Sequence, residues 1–341
     1  MLTASYLLLG LAIVLAWPAP VVLSRARWTS RSPFTALLLW QAIALAGGLS
    51  MIGAFLVWGL EPLGGDLLSA LRGFWGVLTG EPHARQLTVI HVFALSTALL
   101  IGGHLVFTLL LATYKVTRQR ARHRGLLALL SGPSPTIPGA VVLEHQAPVA
   151  YCLPGFSGSL TVISRGLLDS LDPAGLRGVI AHEHAHLDQR HDLLVLAFES
   201  WHQALPWLPT SRLARLAVQE LIEMLADDAA LEHVSREDLL RSLVTVSAGL
   251  GDVDDIARAT PGPAGGTTGQ GSPATNNPLL EASAPGDAAA VPGGRLSSLR
   301  LRRLLSPVPE LPVAGRTTVM ATAVLLIVVP TLALVAPGLL V

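Results

Sequence analysis

His182-Glu183-His184-Ala185-His186 reads H-E-x-x-H. If the stretch is helical, one turn separates His182 from His186, so both imidazoles leave the same face and can hold one divalent ion. Glu183 lies beside them, where a carboxylate can take a proton from a metal-activated water. A catalytic zinc site commonly needs a third protein ligand and an open position. Glu223-Met224-Leu225-Ala226-Asp227 supplies a candidate, because Glu223 and Asp227 share a helix face four residues apart. His182, His186 and Glu223 are therefore the expected Zn2+ ligands, with Glu183 as catalytic base. Asp227 is expected to accept the second ring N–H of a zinc histidine and fix its tautomer. His184 points away from that face, since a two-residue step turns a helix by about 200°. His191 and Asp192 could orient the site or simply end the helix. His202 and His233 are candidates for stabilising an oxyanion, with no spacing that singles either out.

The elements that must carry these residues are short and local. Asp172-Pro173 is a helix start, with Asp172 as cap and Pro173 in the first turn. The helix should carry Leu176, Val179 and Ile180 to the histidines and run on as far as Asp192. Upstream, Gly132-Pro133-Ser134-Pro135 opens the domain, and strands are expected over 140–143, 147–153 and 160–164. A peptide substrate could add to an exposed edge at Tyr151-Cys152-Leu153 or at Leu160–Ser164. Downstream, 193–208 is expected to form a core or membrane-touching helix. Ser211–His233 reads as a long amphipathic helix, and Leu239–Leu250 as another.

Composition places this domain at a membrane. The 341 residues are 51% hydrophobic and 13% charged, against about 25% charged in soluble domains. Four stretches are long and apolar enough to span a bilayer: 2–23, 34–60, 87–114 and 317–340. His91 and His104 fall in the third, where helix packing accounts for them. Arginines follow the first and third spans and precede the fourth. By the positive-inside rule this puts both termini outside and the peptidase domain in the cytoplasm. The apolar run 67–78 could lie along the membrane surface. The formal net charge of zero excludes a strongly basic nucleic-acid binder, and the single cysteine, Cys152, excludes an internal disulfide. One lysine against abundant arginine, alanine and glycine fits a GC-rich bacterial genome.

The expected fold class is a mostly α membrane protein: four transmembrane helices plus a cytoplasmic α+β metallopeptidase domain with a small sheet. Residues 1–114 hold three spans and 115–250 the zinc domain. Residues 251–298 form a Gly/Pro/Ala-rich linker expected to be disordered, and 299–341 a basic segment with the fourth span.

The chain resembles the BlaR/MecR-type membrane metallopeptidases in its three spans, H-E-x-x-H domain and fourth span. It resembles them also in Thr161–Leu168 before the zinc helix, His186–Asp192 at its end, Leu205-Pro206-Trp207-Leu208 and Glu223–Leu231. The resemblance implies the gluzincin fold, the ligand roles above, and regulated cleavage of a transcriptional repressor, such as a winged-helix protein, or of the peptidase itself. Unlike the full receptors of that family, the chain is expected to lack the penicillin-binding sensor, since Val341 directly follows the fourth span. Two other readings stand: a CAAX-protease or HtpX-like quality-control peptidase, and a non-catalytic membrane receptor or scaffold. Glu183 argues against the last, because a structural zinc site has no use for a base.

Overall fold

The computed structural model describes residues 1–80, 87–134, 137–155, 158–259, 296–306 and 308–335. Among these, twelve α-helices and four strands are present, and the chain divides into two units.

The first unit comprises Met1–Thr117, Asp192–Leu225 and Pro307–Val341. Four of its helices or helix pairs are long and apolar enough to cross a membrane. The first is broken at Trp17 into α1 (Leu2–Ala16) and α2 (Pro18–Ser24), because Pro18 has no N–H to continue the ladder. α3 spans Pro33–Leu60, and α5 runs unbroken over Val89–Leu130. The third span was expected to end at 114. No proline interrupts the arginine-rich stretch that follows, and arginine is a good helix former, so the helix continues through the single Gly125 to Leu130. The last, α12, covers Val313–Val335, and positions 336–340 of the expected span lie outside the described residues.

Between α3 and α5, α4 (Leu67–Leu78) starts from a capping box in which Asp66 accepts from Ser69 N–H. The same unit contains α8 (His191–Ala204) and the first part of α9 (Pro209–Ala230). Phe198, Val218, Leu221 and Ile222 bury against Leu15, Leu37 and Trp40. Thr210 Oγ1 donates to the Leu15 carbonyl at 2.7 Å. Residues 192–225, inside the region expected as the zinc domain, thus belong with the apolar helices.

The second unit comprises Arg118–His191 and Ala226–Ser306. Its sheet has the order β1-β2-β4-β3, with β1 Ser131–Pro133, β2 Ala140–Leu143, β3 Ala150–Leu153 and β4 Leu160–Ser164. β4 is parallel to β2 and antiparallel to β3, in the register Tyr151↔Val162. β1, expected only as the opening turn of the domain, is an edge strand antiparallel to β2. α6 (Arg165–Ser170) follows β4 directly and is capped by Ser164. Gly166 there packs against the Gln146 carbonyl so closely that a Cβ has no room. Ile163, Leu167 and Val179 bury together between the sheet and α7 (Pro173–Asp188), each contributing about 1.5–3 kcal/mol.

α10 covers Arg236–Ala259 and α11 Ser298–Leu305. Disorder was expected from Gly251, but the backbone stays helical to Ala259, since the first proline downstream is Pro261. The rest of the expected linker, 260–295, lies outside the described residues.

Candidate metal centre

α7 carries the H-E-x-x-H residues. Asp172 accepts from Gly175 N–H at 2.7 Å and Pro173 sits in the first turn, as the sequence indicates. The helix ends at Asp188 and not at Asp192. Arg190 adopts φ 49°, in the left-handed region, and His191 opens the next helix. This break turns His191 back toward α7.

His182 and Glu183 are buried at 1% and 2% exposure, so neither is a solvated helix-face residue. The side chains around the two histidines fix their tautomers. Asp227 Oδ1 lies 3.1 Å from His182 Nδ1. Burial alone would raise the Asp227 pKa, but hydrogen bonds from His182 and Arg300, with the Arg300 charge, lower it to about 2. An ionised carboxylate only accepts, so His182 carries its proton on Nδ1 and presents the Nε2 lone pair.

His186 is set in a similar way. His191 is buried, and its Nε2 lies 3.1 Å from Gln189 Oε1, an acceptor. A neutral His191 donating there accepts at Nδ1, which is 3.0 Å from His186 Nδ1. His186 therefore donates from Nδ1 and presents Nε2 as its lone-pair nitrogen.

The two Nε2 atoms are 3.3 Å apart. Two nitrogens bound about 2.05 Å from one ion at the tetrahedral angle would also be about 3.3 Å apart. Two lone pairs at that separation repel each other in the absence of a cation. The donor set thus fits a zinc ion, with both Nδ1 atoms engaged and both Nε2 atoms converging.

Glu223 lies one turn before Asp227 on the continuous helix α9, on the same face. The helix that delivers Asp227 to His182 carries Glu223 on that face. Glu183, on the H-E-x-x-H helix, lines a cavity with His182, Val179, Ala150 and Arg300. Ala150 belongs to β3, which packs against α7 and, among the described residues, pairs with β4 on one side only. β4 is paired on both sides, so Leu160–Ser164 is not the open edge and the strand 150–153 is.

The other candidate histidines lie in different surroundings. His184 Nε2 lies 3.2 Å from Thr161 Oγ1, and His202 Nδ1 lies 3.3 Å from Ser211 Oγ. His233 is exposed in the turn after α9. His104 Nε2 meets the Ala204 carbonyl at 3.1 Å, and His91 Nδ1 meets Thr88 Oγ1 at 2.9 Å.

Sequence reasoning missed Arg300. It served only as one of the basic residues orienting the fourth span, yet it is 2% exposed and binds Asp227 with two hydrogen bonds. Asp228 is paired with Arg303 at 2.6 Å. The only sequence signal was a basic cluster following a long segment of different composition.

Residues 117–217 match the family model described as Peptidase family M48. That likeness supports a zinc metallopeptidase. The matched stretch includes the H-E-x-x-H residues and ends before Glu223. No curated protein and no solved structure matches the chain.

Proposed function

We propose that this chain is a membrane-bound zinc endopeptidase of the gluzincin type, with His182, His186 and Glu223 as metal ligands and Glu183 as general base. The observation that carries the reading is the pair of Nε2 lone-pair nitrogens 3.3 Å apart. Glu223 is the candidate third ligand, one turn before Asp227 on the same helix face. Bound zinc would acidify a water and polarise the scissile carbonyl.

The chain's own residues do the rest. Glu183, buried next to His182, accepts the proton of the attacking water and returns it to the leaving amine. Asp227 and His191 hold the two imidazoles by their Nδ1 atoms, which fixes ring orientation. The open edge of β3 lies beside Glu183's helix, and a substrate in extended conformation would add there through main-chain hydrogen bonds.

The biological role we assign is regulated cleavage of a cytoplasmic repressor or of the peptidase itself, as the BlaR/MecR resemblance implies. Four apolar helices support a membrane location, here the bacterial plasma membrane with the zinc domain inside. The likeness to Peptidase family M48 carries peptidase chemistry and is equally compatible with membrane-protein quality control. Comparison of new protein termini in cells bearing the parent and the Glu183→Gln form tests both. One or a few targets lost with Glu183→Gln support regulated proteolysis, and many lost membrane-protein fragments support quality control. Identical termini in both strains would refute the catalytic assignment.

A further inference from the structure

The helix beyond the 260–295 segment reaches the metal site through one arginine. Arg300 Nε donates to Asp227 Oδ2 at 2.9 Å and Nη2 donates to Oδ1 at 2.7 Å. Oδ1 also faces His182 Nδ1, at 3.1 Å. A guanidinium fork bound to both carboxylate oxygens fixes the carboxylate plane, which a single point charge does not. The direction of the Asp227 oxygen facing His182 is thus set from α11.

The rest of α11 is docked by other means. Ser297 caps it by accepting from Arg300 N–H, and Leu304 buries against Ala230 and Leu239. Arg236 donates to the Arg303 and Leu304 carbonyls at its C-terminal end. Arg303 forms a second fork, on Asp228, at 2.6 and 2.7 Å. Two similar ion pairs therefore join the same two helices, and of the two only the Asp227 pair stands against a zinc-candidate histidine, at 3.1 Å. Burying Arg300 to 2% exposure is a poor way to gain stability alone, since an apolar residue would dock the helix with no desolvation penalty.

We propose that Arg300 is a positioning residue of the metal site: it orients Asp227, which orients His182, whereas Arg303 only anchors α11. The proposal rests on the zinc reading above. The test is zinc affinity of the full chain in detergent, measured by competition with a chromophoric chelator. Every variant is made in the Glu183→Gln background, so that proteolysis cannot intervene.

Arg300→Met is expected to weaken zinc binding about ten- to a hundredfold, the range for loss of a partner behind a metal-bound histidine. Arg303→Met is expected to lower the melting temperature of the zinc-free protein but to leave zinc affinity within about twofold, because Asp228 forms no part of the chain from Arg300 to His182. If Arg300→Met does not fold, Arg300→Lys against Arg303→Lys carries the same comparison. Lysine retains the charge and loses the fork, so only the first should weaken zinc. The double variant Asp227→Asn/Arg300→Met should bind zinc no more weakly than Asp227→Asn alone.

Equal weakening by the Arg300 and Arg303 variants would overturn the proposal, as would unchanged affinity in a folded Arg300→Met. A parent that fails to bind zinc would sink the underlying zinc reading instead, so the two failures are distinguishable.

Discussion

Replacing Asp227 by asparagine should destabilise the metal-free protein severely, although the two side chains have nearly the same shape. The carboxylate accepts two hydrogen bonds from Arg300, at 2.7 and 2.9 Å, and stands 3.1 Å from His182 Nδ1, both partners being buried. An amide offers one oxygen. Its NH2 group must then face an N–H of either Arg300 or His182, and the lost charge leaves the 2%-exposed guanidinium uncompensated. Breaking one partner of a buried ion pair costs about 3–5 kcal/mol. For a unit of this size, 1 kcal/mol shifts the melting temperature by about 2–4 °C, so a fall of about 10 °C is expected.

The pH dependence supplies a second check. The folded-state pKa of Asp227 is lowered from 3.8 to about 2. Its ionic contribution is therefore complete above pH 3.8 and disappears as pH falls through about 2. The assay is thermal unfolding of the Glu183→Gln chain, with and without Asp227→Asn, in chelator at several pH values. The gap between the two should be full at pH 6 and should narrow below pH 4. A shift under about 2 °C, or a gap that widens in acid, would refute the reasoning.

Two further predictions concern the sheet. Cys152 is buried and its thiol is pushed up to about 11, chiefly by burial. At pH 8 its thiolate fraction should be about a hundredfold below that of an ordinary thiol with pKa near 9. Maleimide labelling of native protein should accordingly be that much slower than labelling in denaturant, and comparable rates would contradict the packing around β3. Since the folded form also keeps this proton between pH 9 and 11, stability should fall as pH rises through that window, and Cys152→Ala should lessen the fall. Gly166→Ala places a methyl group against the Gln146 carbonyl, so the loop between β2 and β3 or the first turn of α6 must shift. A loss of at least about 2 kcal/mol in chemical denaturation is expected, and a neutral effect would count against the strand-to-helix turn described here.

Much of the site could be read from the chain because its signals are local. One helical turn separates His182 from His186, and another separates Glu223 from Asp227. Asp172-Pro173 marks where the first of these helices begins. Strands 140–143 and 160–164 coincide with β-branched runs buried on the sheet.

What escaped depended on partners distant in sequence or on single backbone angles. The Arg300–Asp227 pair closes across 73 positions and a segment of unrelated composition, so no spacing rule reaches it. His191 bends back to His186 only because Arg190 turns left-handed, and nothing in Gln189-Arg190 announces that angle. The edge status of β3 could not be deduced either, since both candidate strands have similar composition and only the pairing order separates them.

The central claim is most directly tested by X-ray absorption at the zinc edge on purified Glu183→Gln protein, together with metal content per chain. The account predicts one zinc per chain, two imidazole nitrogens and oxygen donors in the shell, no sulfur, and loss of an oxygen scatterer in Glu223→Ala. Chains that purify without zinc and fail to take it up, or a shell unchanged by Glu223→Ala, would contradict it.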